Sequence, residues 1–385
     1  MKKLACGLAA VALIASTATA ITRLGENAEL FLTGTLGART DDNIFLGDLD
    51  EVDDTILEVA PGVELVFGQG ARLNGRLRLA ETFVRYLDNS DLDDELFTGE
   101  FLSGYDDGKW KFDLELSYDQ LNESTRDVRG AGVVFNELIN RDALHGAVNA
   151  LLSVSDKTSA GLGFTYDETS YDTTAPGYLD IEEFSVPFNY FYAIGEKVDL
   201  SAGVRFRDTA LSGGAGDSRD FYYNLGARGD FTPKFSGTVS VGYNQRELDA
   251  GGDESALGAE AKLKYLITEK TSLGLNVLND FTTSAEGVSQ KTFAVTPSVG
   301  TRFGEQWDGA LSVSFQRIEY FSGRDDDYVD GRASLGCRLN ENATVRVGYL
   351  YRKNESNLRV LDSLGRTRSP EFTNQQISLT AVLRF

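Results

Sequence analysis

The last fifteen residues, EFTNQQISLTAVLRF, constrain the fold more than any other stretch. Ile377, Leu379, Ala381, Leu383 and Phe385 fall on one face of an extended chain, and Gln376, Ser378, Thr380 and Arg384 on the other. A helix would mix these sets, because its faces repeat every ~3.6 residues, whereas a strand separates them. About ten residues of such alternation suit a strand between lipid and a wet lumen. They suit the closing strand of a soluble sandwich equally well.

The start of the chain favours the first alternative. Lys2 and Lys3 precede an apolar run from Leu4 to Ser16, and Ala18-Thr19-Ala20 then forms the small-x-small pattern of a signal-peptidase site. A cleaved signal peptide is expected over residues 1–20 and a single domain over 21–385. Cys6 lies too early, behind Lys3, for a lipoprotein anchor, which leaves Cys337 as the one cysteine of the mature chain. Neither an internal disulfide nor a cysteine-based metal site is expected. Beyond the leader no apolar run approaches the ~18 residues of a spanning helix. A chain that crosses lipid without helices must close into a barrel, since only those structures satisfy every backbone polar group there. The fold class expected is all-β: a transmembrane antiparallel up-and-down β-barrel of the bacterial outer membrane. The terminal Phe385 also resembles the signal by which barrel assembly machinery recognises such chains.

Alternating segments recur at intervals of roughly twenty residues from end to end. Leu57, Val59, Pro61, Val63, Leu65 and Phe67 oppose Glu58 and Glu64; after Gly68-Gln69-Gly70, Leu73, Leu77 and Leu79 oppose Arg72, Arg76 and Arg78. In KWKFDLELSY, Trp110, Phe112, Leu114, Leu116 and Tyr118 face one way and Lys111, Asp113, Glu115 and Ser117 the other. Short polar turns (Asp106-Asp107-Gly108, Ser155-Asp156-Lys157, Gly195-Glu196-Lys197, Thr268-Glu269-Lys270) alternate with longer connections such as Asp119 to Arg141, Asp208 to Asp220 and Lys353 to Pro370. Short periplasmic turns and longer external loops are the barrel pattern. Counted in this phase, the segments give about 18 strands, with sixteen as the alternative, and both termini periplasmic. Trp110 and Trp307 directly follow short turns and, with Phe385, are assigned to a periplasmic aromatic girdle, where rings meet lipid and polar tips stay wet.

Several blocks resemble the β-barrel porin type 2 family, whose members often accompany exopolysaccharide synthesis and export loci. They are Asp42-Asn43-Ile44 before Asp54 and Pro61-Gly62-Val63; Val186-Pro187; Arg205-Phe206-Arg207-Asp208-Thr209; Pro233-Lys234 leading to Gly242-Tyr243 and Arg246; Thr268-Glu269-Lys270-Thr271; and Gly348-Tyr349 to Arg352 with Asn354-Glu355-Ser356. The resemblance implies an outer-membrane barrel and a role in passing or securing surface polysaccharide. It brings no catalytic residues.

Charge separates by face. Assigned to the lumen are Arg72, Arg76, Arg78, Lys111, Arg205, Arg207, Arg228, Arg246, Lys262, Lys264, Arg302, Arg332, Arg338, Arg346, Arg352 and Arg384. The acids assigned there (Glu58, Glu64, Asp113, Glu115, Asp199, Asp230, Glu260) are fewer, roughly two for every three bases. This reading predicts a wall that favours anionic solutes, although pairing of these bases with lumen acids would merely stiffen it. The chain as a whole is acidic: 37 Lys and Arg face 59 Asp and Glu, which excludes nucleic acid as a partner. Outer-membrane lipid and lipopolysaccharide, barrel assembly machinery and anionic polysaccharide are the partners expected. The acidic runs around Asp48, Asp91 and Asp325 lack calcium-loop spacing, and His145, the single histidine, has no nucleophile motif beside it, so no metal, cofactor or enzyme activity is expected. The segment Asp119 to Arg141, with Val133, Val134 and Phe135, is the candidate to fold inward as a constriction. Two functions stay open: a porin-like channel for small solutes or anionic glycans, and a non-conducting scaffold for polysaccharide machinery.

Overall fold

The computed structural model describes residues 22–25, 27–124, 137–172, 177–213, 216–249, 251–361 and 364–385. The expected signal peptide, and residues 125–136 of the segment expected to fold inward, lie outside the described residues. The chain forms eighteen long strands: β1 (Ala28–Asp41), β2 (Asp54–Phe67), β3 (Leu73–Tyr86), β4 (Asp94–Asp106), β5 (Trp110–Ser124), β6 (Leu138–Ser155), β7 (Thr158–Asp172), β8 (Ile181–Ala193), β9 (Val198–Leu211), β10 (Ser218–Thr232), β11 (Phe235–Leu248), β12 (Asp253–Leu266), β13 (Thr271–Thr283), β14 (Ser289–Phe303), β15 (Trp307–Tyr320), β16 (Asp325–Arg338), β17 (Ala343–Ser356) and β18 (Phe372–Arg384). Each pairs antiparallel with the next, and β1 pairs with β18 from Thr33↔Arg384 to Asp41↔Gln376. Closure leaves no free lateral edge to the sheet as a whole and satisfies the backbone where lipid cannot. Among the described residues no helix is long and apolar enough to cross a membrane.

The eighteen strands agree with the alternation, and so do the short turns, which gather at the end of the barrel where β1 starts and β18 finishes. Gly68 shows why such a turn needs its residue type: it holds φ +69°, and a Cβ there would collide with the Leu73 carbonyl oxygen. The opposite end differs from expectation. The connections expected at Asp208–Asp220 and Lys353–Pro370 are shorter, because β9 runs on to Leu211, β10 starts at Ser218 and β17 continues to Ser356. Beyond the lipid both faces of a strand meet water, so the ladder continues while the hydropathy alternation that would reveal it fades.

Which face is interior is evident from reach. Arg205 on β9 contacts Glu260 on β12 and Asp280 on β13, and Arg384 on β18 contacts Glu64 on β2. Side chains that skip intervening strands can do so only across a concave surface. The other parity is apolar and open, as at Leu57, Trp110, Leu116, Leu225, Leu257 and Trp307. That face is an apolar belt around the wall.

The wall is not uniformly zipped. β12 pairs with β11 from Asp253 to Tyr265, and β13 pairs with β14 from Thr271 to Thr283. Yet β12 and β13 pair with each other only from Ala259↔Asn279 to Leu266↔Ser272. Above that point the two strands part, and β13 turns inward. The β4–β5 ladder also ends early, at Thr98↔Asp119, but side chains bridge the gap: the Phe97 amide donates to Gln120 Oε1 at 3.1 Å, and Asn122 Nδ2 to Asp94 Oδ2 at 2.5 Å.

Candidate functional site

The candidate site is the lumen, and two segments enter it from the end opposite the short turns. The first is the loop 42–53. The Asn43 amide donates to Asp41 Oδ1 at 2.9 Å, and the Asn43 side chain spans the turn, donating to the Gly47 and Thr373 carbonyls and accepting from the Gly47 amide at 2.7 Å. This reverses the chain and sends Ile44 against Ile56, Val84 and Tyr86, with Phe45, Val52, Leu92, Leu96 and Leu138 around them. Ser124 Oγ, on β5, donates to the Phe45 carbonyl at 2.7 Å. The hairpin formed by Val360–Leu361 and Thr367–Arg368 clamps the loop from outside: Arg368 Nε and the Ser369 amide both donate to the Asp48 carboxylate, at 2.9 and 2.8 Å. Loop 42–53 is therefore inward, a role the sequence assigned to another segment. Asp119–Ser124 and Leu138–Arg141 of the segment expected to fill that role belong to strands β5 and β6.

The second segment is the top of β13 with the loop 284–288. The Leu179 amide donates to the Ala285 carbonyl at 2.9 Å, and Tyr171 and Tyr178 pack on Ala285. Beneath it lies a buried polar cluster from four strands. Arg207 Nε and Arg246 Nη2 donate to Asp220 Oδ2 at 2.6 and 2.8 Å; Arg205 Nη2 and Arg207 Nη1 donate to Asp280 Oδ2 at 2.7 and 3.1 Å. Arg207 Nη2 also reaches the Phe281 carbonyl, and Arg246 Nη1 the Thr282 carbonyl, each at 2.7 Å. Arg246 is fully buried and Arg207 is 6% exposed. Ions so enclosed persist only because each guanidinium is matched by carboxylates and carbonyls.

Six of the other thirteen bases that the sequence assigns to the lumen form ion pairs. Arg76 meets Glu100 at 2.8 Å and Arg78 meets Glu64 at 3.4 Å. Arg228 meets Asp199 at 3.0 Å and covers the Phe191 ring; Arg332 meets Asp330 at 2.8 Å and Arg346 meets Asp308 at 2.8 Å. Lys111, Lys262, Lys264, Arg302 and Arg338 are exposed on the interior parity with no ion-pair partner among the described residues. Arg72 is a correction: it lies in the turn before β3, at the rim rather than on the wall. The expected scarcity of acids is a second correction. Register places Asp41, Asp54, Glu100, Asp119, Glu183, Asp220, Asp280, Asp308 and Asp330 on the interior face as well, so acids are not the minority. Several of these carboxylates lie at the strand ends opposite the short turns, where alternation is weakest. Trp110 and Trp307 are the first residues of β5 and β15, and Phe385 comes directly after β18, its amide donating to the Leu32 carbonyl at 2.8 Å.

Charge, paired and unpaired, is unevenly distributed around the ring. A groove on β12 to β16 is floored by Ser272, Gly274, Ser298, Gly300, Ala310, Ser312 and Ser334 and flanked by Lys264 and Arg332. Another, on β2 to β6, is lined by Glu64, Arg76, Asp113, Glu115, Asn149 and Arg384. In an eighteen-strand ring β5 stands opposite β14, so the acidic and basic grooves face each other across the lumen. Interior aromatic rings are mostly capped by guanidinium groups: Arg384 over Phe31 at 3.5 Å, Arg228 over Phe191 at 3.4 Å and Arg205 over Tyr222 at 5.1 Å. Among the described residues no cluster of His, Cys, Asp and Glu could hold a metal ion.

A model of the family described as Putative beta-barrel porin 2 matches residues 33–368. The chain belongs to that family. No curated protein matches it in sequence. Among solved structures it is similar to the outer membrane protein OpdK of Pseudomonas aeruginosa (10% identity, 93% of this chain and 99% of that one, TM-score 0.47). It is also similar to the FrpB iron transporter of Neisseria meningitidis (10% identity, 94% and 82%, TM-score 0.47). A third likeness is to an anion-selective porin of Comamonas acidovorans (11% identity, 93% and 100%, TM-score 0.41).

Proposed function

We propose that this porin-family barrel sits in the bacterial outer membrane and passes small solutes bearing carboxylates, acidic sugars in particular. The observation that carries this reading is the groove on β12 to β16, where small side chains leave room between Lys264 and Arg332 while Lys262, Arg302 and Arg338 stay unpaired nearby. Fixed positive charge beside a low-dielectric wall concentrates anions, and the acids opposite orient them. A neutral sugar would call for bare aromatic platforms, and the lumen rings under guanidinium groups are not bare. The resemblance to polysaccharide-locus barrels makes an exopolysaccharide fragment a fitting cargo. Lipopolysaccharide would meet the outward ion pairs at the external rim, such as Arg317–Glu319 and Lys353–Glu355. Reversal potential in a salt gradient across a planar bilayer tests the reading. Anion selectivity that weakens in Lys264→Glu with Arg332→Glu is expected, and cation selectivity in the unaltered protein would overturn it. A second reading, a non-conducting scaffold, is favoured by the two segments that enter the external mouth; silence at every voltage would establish it.

A further inference from the structure

We propose that the top of β13, residues 280–283, is a swinging segment, and that Asp280 occupies a carboxylate site that the transported solute takes when the segment leaves. The first observation is the parted seam. Continuing the register beyond Ala259↔Asn279 would set Asp280 opposite Gly258, Phe281 opposite Leu257, Thr282 opposite Ala256 and Thr283 opposite Ser255. Among the described residues those β12 positions have no partner on that side, apart from Asn279 Nδ2 donating to the Leu257 carbonyl at 2.6 Å. The sequence of β13 suits the vacant place. Leu273, Leu275 and Val277 already face outward, and by the same parity Phe281 would join them against Leu257, which is 65% exposed. Instead Phe281 is buried in the mouth, edge-on to Phe321.

The second observation is what the inward position fills. Arg205 Nη2, Arg207 Nη1 and Asn244 Nδ2 converge on the Asp280 carboxylate, a set of donors that fits any carboxylate of similar size. With Asp280 gone, Arg246 and Arg207 would keep Asp220, so the site would lose its internal anion without losing its frame. The third is incomplete satisfaction. Among the described residues, Gln290 is fully buried with neither Nε2 nor Oε1 bonded, and Asn244 Oδ1 and Arg205 Nε also lack partners. Each such group costs free energy while it lacks a partner, and this offsets part of what the ion pairs contribute to the inward position. A carboxylate-bearing solute in the lumen therefore exchanges with Asp280, and the released strand zips onto β12. The solute class rests on the transport reading above; the swing does not.

The test is cross-linking in a Cys337→Ser background. Leu257→Cys with Phe281→Cys, and separately Ser255→Cys with Thr283→Cys, bring thiols together only in the outward position. Ala261→Cys with Val277→Cys reports the seam that is already paired. Folding of each variant is verified by heat-modifiable migration in SDS gels. Both outward pairs should cross-link, several-fold faster in glucuronate than in glucose, and Arg205→Gln should abolish that difference. Cross-linking of the control pair alone, or equal rates in the two sugars, would overturn the proposal. Because the readout needs no current, a protein that cross-links as expected yet stays silent in bilayers would count against the transport reading only.

Discussion

The two segments that enter the lumen are held by opposite kinds of force. Loop 42–53 is held by apolar contact: Ile44 packs with Ile56, Val84 and Tyr86, and the wall beneath stays zipped from Asp41↔Asp54 downward. Its polar groups are matched as well, with the Asn43 side chain both donating and accepting and the Asp48 carboxylate bonded at both oxygens. The top of β13 is held by ions and breaks the ladder to reach them. Apolar burial with hydrogen-bonded turn groups leaves few rival arrangements in water. Buried ion pairs trade a large attraction against a large desolvation cost, so a competing arrangement can lie close by. The comparison assigns permanence to the first segment and exchange to the second.

Changes that break this contrast should differ in size. Ile56→Asp sets a carboxylate among Ile44, Val84 and Tyr86 and should cost on the order of 4 kcal/mol, read as a lowered urea midpoint together with higher conductance as loop 42–53 comes free. Asp48→Ala and Asp280→Ala form a matched pair. Each removes a carboxylate that contributes about 1–3 kcal/mol to its partners, yet the first should expose the bonds after Arg366 and Arg368 to trypsin, whereas the second should change amide exchange only at residues 280–283 and the facing 255–258. Identical patterns from the two would erase the distinction. The smallest effect is at the short-turn end, where the Trp110 amide, and after it the Lys109 amide, hold the Asp107 carboxyl below the usual carboxylate range. A lowered value in the folded state means that this contribution is present above the ordinary carboxylate pH and is lost as pH falls through the lowered one. Carboxyl NMR titration in nanodiscs should find Asp107 below a free aspartate, and an ordinary value would show that these amides do not hold the turn.

Much of the barrel was legible because lipid imposes a simple rule. Strand parity could be read from residues such as Trp110, Phe112 and Leu116, and strand number from turns such as Asp106-Asp107-Gly108. The interior was less legible. Arg205, Arg207 and Arg246 were assigned to the lumen with pairing left open and no partner named; they form one buried cluster with Asp220 and Asp280, from strands far apart in the chain. Asp220 and Asp280 went unassigned because each sits near a strand end, where neighbouring side chains no longer alternate. The Asp42-Asn43-Ile44 block did carry a signal: Asn before an apolar residue in an acidic loop is a turn that buries the next side chain.

The sequence by itself determined a closed barrel, its strand parity and the end at which its turns are short. Alternation against lipid and the need to satisfy every backbone group allow no other spanning form without helices. Only the tertiary structure decided which loop enters the mouth, which bases stay free and where the wall parts between β12 and β13. Those outcomes depend on charges from distant strands meeting across a concave surface, and no local pattern along the chain records such a meeting.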